Sequence, residues 1–168
     1  MSELPTAADE TRFWTIIESA WQSVGAESAT LRAALIHREN DDAAYAIDQH
    51  LPAFLDHLRA LSESLSTADL TALDRVLERK LYDLDRADIH EVTDGSDDGF
   101  LYCRGFIVAM GRDFYTAVTA DPTVAVIDAE CERMCYFFAH VHNNRVGDFP
   151  RTGSGISRES FSNPAGWN

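Results

Sequence analysis

Apolar residues recur along this chain at intervals of three and four, the spacing that paints one face of an α-helix. Phe13, Trp14, Ile17, Trp21 and Val24 make the first stripe and predict a helix from about Asp9 to Ser23, with Gly25 as its C-cap. Leu31, Leu35 and Ile36 predict a shorter helix over 27–37. The polar run Glu39-Asn40-Asp41-Asp42 then breaks the pattern and offers an N-cap to the next helix. Ile47, Leu51, Phe54, Leu55, Leu58 and Leu61 continue the pattern over 43–64. Pro52 must kink or restart that helix near Gln49–Pro52, because proline lacks a backbone donor and clashes with the preceding turn. Ser66-Thr67-Ala68-Asp69 resembles a capping box, and Leu70, Leu73, Leu77, Leu81 and Leu84 share one face of the helix it opens.

Residues 88–98 read as a loop. Ser96 or Asp97 can cap the next helix, in which Phe100, Cys103, Phe106, Ile107 and Met110 face inward. Gly111 marks a break, Phe114 and Val118 continue the apolar face, and Asp121-Pro122 stops it. A last helix is expected from about Val124 to Asn143, with Ile127, Cys131, Met134, Cys135, Phe138 and His142 as its stripe. In the final 22 residues, Gly, Ser, Pro and Asn supply 12, so an irregular tail is expected, with Phe149, Ile156, Phe161 and Trp167 pinning it to the helices. No strand-like alternation of useful length occurs. The predicted fold is all-α: an irregular bundle of five to seven helices over 1–146, with a Gly/Ser/Pro-rich tail over 147–168 that is packed on it or partly mobile.

The stretch SDDGFLYCRGFIVAMGRDFYTAVTADP, residues 96–122, resembles the signature segment of the bacterial family catalogued as domain of unknown function 4240. Phe13-Trp14-x-x-Ile17-Glu18 resembles that family's opening helix, Gly111-Arg112-Asp113 its G-R-[ED] step and Ala120-Asp121-Pro122 its A-D-P stop. The resemblance runs over roughly residues 12–150. It implies a helical fold and, because some relatives carry the domain beside regulatory modules, binding more than catalysis. It brings no catalytic residue with it. One departure stands out: the approach to the S-D-D step, Asp83 to Glu91, is heavily charged here where relatives run aromatic and alanine-rich.

The formal charge of the chain is -14, from 28 acids against 14 bases. It is unevenly placed, with net -13 over residues 1–98 and -1 over 99–168. Such a field repels phosphate backbones, so direct nucleic-acid binding is not expected, whereas a basic partner is attracted. The N-terminus lacks a secretory pattern, no apolar run reaches membrane-spanning length, and three cysteines fit no disulfide framework. A cytoplasmic protein is therefore expected.

Candidate chemistry is sparse. Asp94, Ser96, Asp98 and Gly99 copy the first half of a calcium-binding loop, but Gly105 stands where the bidentate glutamate belongs, so the cluster reads as a helix cap. Cys131, Cys135 and His142 share one predicted face, and zinc is conceivable there, but Ile127, Met134 and Phe138 accompany them and favour core packing. His140 and His142 point apart on a helix, and His50 and His57 lie two turns apart. Ser154, in a flexible Gly-Ser-Gly context with no strand before it, is not a nucleophile elbow. No metal, cofactor or catalytic residue is expected. Two acidic clusters remain: Glu39, Asp41, Asp42 and Asp48; and Asp83, Asp85, Asp88, Glu91, Asp94, Asp97 and Asp98, opposed only by Arg86. The second is the expected recognition surface of a non-enzymatic, acidic interaction protein, in one version an inhibitor or immunity protein for a basic partner. The alternative is a small-molecule sensor or enzyme with a pocket around residues 96–112.

Overall fold

The structure, a computed structural model, describes residues 2–38, 42–93 and 95–168. Nine α-helices succeed one another among them: α1 Ala7–Val24, α2 Ala26–His37, α3 Ala43–Asp48, α4 Leu51–Ser62, α5 Thr67–Asp83, α6 Ala87–Thr93, α7 Asp97–Ala109, α8 Arg112–Ala120 and α9 Phe137–Val146. The all-α architecture is the expected one. Two short helices, α3 and α6, bring the count above seven. No described helix is long and apolar enough to cross a membrane.

Local chemistry sets the helix ends. Thr6 caps α1 through its side chain, which accepts from the Asp9 amide at 3.0 Å. Ser66 does the same for α5 with Asp69, and Ser96 for α7 with Gly99. Pro52 falls in the first turn of α4, where its missing donor costs nothing, so the 43–62 stripe splits into α3 and α4. Of the polar run before α3, residues 39–41 lie outside the described residues, and Asp42 stands at the N-cap position without a side-chain cap bond.

The core forms where α1 packs on α4 and α5, and α5 packs in turn on α7 and α9. Trp21 is fully buried, stacks on Phe54 at 4.3 Å and donates its indole N–H to the Ala109 carbonyl at 2.7 Å. Arg32 clamps the α7–α8 corner. It holds both Glu18 oxygens, at 2.7 and 3.1 Å, and the Met110 carbonyl at 3.0 Å. Gly111 turns that corner at φ +100°, and a Cβ there would lie 2.7 Å from a Glu18 oxygen.

Two expectations are corrected. Residues 87–93 are helical, not loop, and bury Ile89 and Thr93. The long final helix does not form. Pro122–Val124 and Glu132–Met134 are single 3₁₀ turns, and α9 begins only at Phe137. Between them the backbone bonds to its neighbours: the Asp128 amide donates to Thr93, and the Cys131 amide to Tyr102. Asp128 takes a left-handed φ of 56° and Ile127 is 61% exposed, while Cys131, Met134, Cys135 and Phe138 remain buried. Gly105 explains how this segment sits so close to α7. A Cβ there would come within 2.6 Å of the Cys131 carbonyl and 2.7 Å of the Cys135 sulfur.

Candidate functional site

The structure takes Asp85 out of the acidic cluster expected to form one surface. Asp83 is half-buried and pairs with Arg79 at 3.1 Å. Asp88 is exposed but held by Arg86 at 2.7 Å, which keeps its carboxyl below the usual range. Glu91 and Asp98 are exposed. Asp94 and the side chain of Asp97 lie outside the described residues, as do Glu39 and Asp41 of the first cluster. Asp85, expected to be exposed, has no accessible surface at all.

Asp85 instead receives the C-terminal tail. One of its oxygens accepts from the Phe161 amide at 3.0 Å and the Trp167 indole at 2.9 Å. The other accepts from the Ser162 amide at 2.7 Å and the Asn163 amide at 2.9 Å. Arg104, also fully buried, donates to the carbonyls of Leu81 at 2.8 Å and Arg158 at 2.9 Å, and to the Ser160 hydroxyl at 3.0 Å. Burial depresses its pKa, and nearby Asp85 leads the charges that oppose that shift. Arg158 enters the helices as a bidentate partner of Asp74, at 3.0 and 3.1 Å, and reaches Glu78 at 3.2 Å. Burial raises the Asp74 carboxyl, and Arg158 opposes that rise. Ser154 and Thr152 both bond Glu78. The tail is therefore pinned largely by polar groups; of the aromatic residues expected to hold it, Trp167 does so, bonding Asp85 and packing on Phe100, while Phe149 and Phe161 are about half exposed, at 51% and 49%.

The docked tail forms one side of a cleft of about 490 Å³ between α7, the 131–137 segment and α9. Leu101, Cys135, Phe137 and Val141, all buried, make its floor. Tyr102 and Tyr136 line it beside three carboxylates, Asp98, Glu132 and Glu159. The Tyr136 hydroxyl donates to Glu159 at 2.5 Å, and the Arg158 guanidinium sits 4.5 Å from its ring centre. Partial burial and then Glu159 raise the Tyr136 pKa; burial and then Glu132 raise that of Tyr102. Both hydroxyls thus stay protonated, and that of Tyr136 donates to Glu159, whose carboxylate keeps lone pairs free. Arg59, turned towards Glu63 at 3.9 Å, and Arg133 also line the cleft, with His140 beside Tyr136. Acids that can accept and aromatic faces that attract positive charge together suit a cationic side chain.

The segment 96–112 supplies Asp98, Leu101 and Tyr102 to this cleft. Glu132, Tyr136 and Glu159 carried no motif that singled them out. Cys131 and Cys135 are buried thiols, raised by burial to about 11 and about 12 respectively. Cys135 donates to the Leu101 carbonyl at 3.4 Å, and His142 bonds the Asp148 carbonyl at 2.6 Å. Among the described residues no group of three or more His, Cys, Asp or Glu could hold a metal ion.

Compared with known families, residues 8–143 match the one described as "Protein of unknown function (DUF4240)". Neither the curated proteins nor the solved structures contain a match.

Proposed function

We propose that this chain, which belongs to the DUF4240 family, is a non-catalytic interaction module that takes a basic side chain of a partner into the cleft between Tyr102 and Tyr136. The observation that carries the reading is the convergence there of two tyrosines and three carboxylates over an apolar floor. The net charge of -14 adds long-range attraction for a basic partner and speeds encounter. An inhibitor or immunity protein that occupies a basic protein is one form such a module takes. Asp88 and Glu91, exposed on α6, belong to the steering field. Asp85 does not, because it is used up inside the fold.

Calorimetric titration with a capped hexapeptide carrying two arginines tests this. Exposed cation–carboxylate pairs contribute roughly 0.2–1 kcal/mol each. A cation over an aromatic ring adds about 0.5–2 kcal/mol. The double change Glu132→Gln and Glu159→Gln should therefore weaken binding several-fold at low salt. Wild-type binding should also weaken as the Debye length falls to about 8 Å near physiological ionic strength. Binding that ignores both the double change and the salt would refute the cleft as the basic site.

A further inference from the structure

A second cleft, of about 520 Å³, opens on the other side of Tyr136 and His140, which line both. Its chemistry differs. Phe149, Pro150, Ile156 and Ala139 give it apolar walls, and Phe149 is half exposed although it packs its ring 5.7 Å from His140. The charged groups it reaches are already engaged with one another: Arg158 is held by Asp74 and Glu78. Glu78 also accepts from Thr152 and Ser154, so these groups are largely satisfied within the fold and the apolar walls set the preference of this cleft. The first cleft thus presents carboxylates, and the second, next to it, presents apolar surface.

We infer that the two clefts together read one partner segment that carries a basic side chain and, a short distance along the same chain, an uncharged apolar one. This rests on the single-cleft proposal and specifies the partner further. Charge complementarity sets the first position, and the apolar walls of the second favour an apolar occupant. Both volumes fall within the range of ligand pockets, and tyrosine, which lines both clefts as Tyr136, is enriched among interface hot spots. Phe149, Pro150 and Ile156, which supply most of the second cleft's apolar wall, come from the tail, so part of the specificity at that position lies in residues 149–158, beyond the stretch the family match covers.

The test uses the full-length protein and a series of capped glycine–serine octapeptides. The parent carries one arginine; each of the others adds one leucine, placed one to five residues away on either side. Amide chemical-shift titration gives the affinities. At least one spacing should bind about tenfold more tightly than the parent, the equivalent of about 1.4 kcal/mol. Phe149→Ser, at an exposed position, should remove that gain while leaving the affinity of the arginine-only parent unchanged. If the parent binds and no spacing gains more than twofold, this inference falls and the single-cleft reading stands. If a spacing gains but Phe149→Ser does not reduce the gain, the apolar position lies elsewhere and the inference falls. If no peptide binds, parent included, both readings fall.

Discussion

Replacing Asp85 by asparagine should destabilise the protein more than any surface carboxylate change, although the two side chains have nearly the same shape. The aspartate accepts four hydrogen bonds at 2.7–3.0 Å, two on each oxygen. Asparagine keeps one oxygen and puts an NH₂ group where the other stood. At most two bonds survive, and two donors then face a donor. A buried donor left unmet costs about 1–3 kcal/mol, and the two losses together bracket roughly 2–6 kcal/mol. Arg104 also loses the leading acid that supports its charge in a buried setting. A central value of about 3–4 kcal/mol is a large share of a typical stability of about 5–15 kcal/mol. For a chain of this size it corresponds to a fall in Tm of about 6–16 °C. Urea unfolding of Asp85→Asn against wild type measures the cost directly. Limited trypsin digestion reports on the tail: cleavage after exposed Arg151 and buried Arg158 should accelerate together. A loss below about 1 kcal/mol, with the tail still protected, would show that Asp85 is not the anchor described.

The same geometry sets further outcomes. Ser96→Ala removes the cap on the Gly99 amide and should cost about 1 kcal/mol in thermal or denaturant unfolding. Gly105→Ala places a methyl group 2.6 Å from the Cys131 carbonyl, so the 131–135 segment must move away from α7, at about 1–3 kcal/mol in the same assays. The buried thiols should resist iodoacetamide at pH 8, because Cys131 near 11 and Cys103 and Cys135 near 12 hold almost no thiolate there; reactivity should rise with pH or on unfolding. Changing Asp88 and Glu91 to lysine should leave the fold intact and slow association with a basic peptide at low salt, whereas adding Asp85→Lys should unfold the chain.

The helices were legible because their apolar stripes and caps are local. The Phe13–Trp21 stripe, the Pro52 restart, the Ser66 and Ser96 caps and the Gly111 break all depend on residues within a turn or two of one another. The failures have the opposite character. Cys131, Met134, Cys135 and Phe138 carry helical spacing and are buried, yet the segment is held by amides bonding to Thr93 and Tyr102, partners no periodicity can reveal. The acidic run 83–98 looked uniform as a string of letters, but Asp85 lies four residues past Leu81, where the spacing of the α5 apolar stripe continues just beyond the end of that helix. Asp74, between Leu70 and Leu77, and Arg104, beside Cys103 and Ile107, also fall on apolar stripes. A charged residue at a core position was the available signal for the buried network. Its counterpart, Arg158, sits in a tail whose composition suggested looseness. The cleft was half legible: Asp98 and Tyr102 lie in the segment singled out, while Glu132 and Glu159 reach it only through the 3₁₀ turn and the docked tail.

The most direct test is to map where a basic peptide lies. Amide shifts of the labelled full-length chain, monitored during titration with the two-arginine hexapeptide, should change most at Tyr102, Glu132, Tyr136 and Glu159. Little change is expected over α6. Shifts concentrated between Asp83 and Thr93, with residues 132–136 and 159 unmoved, would return recognition to the acidic run and contradict the cleft.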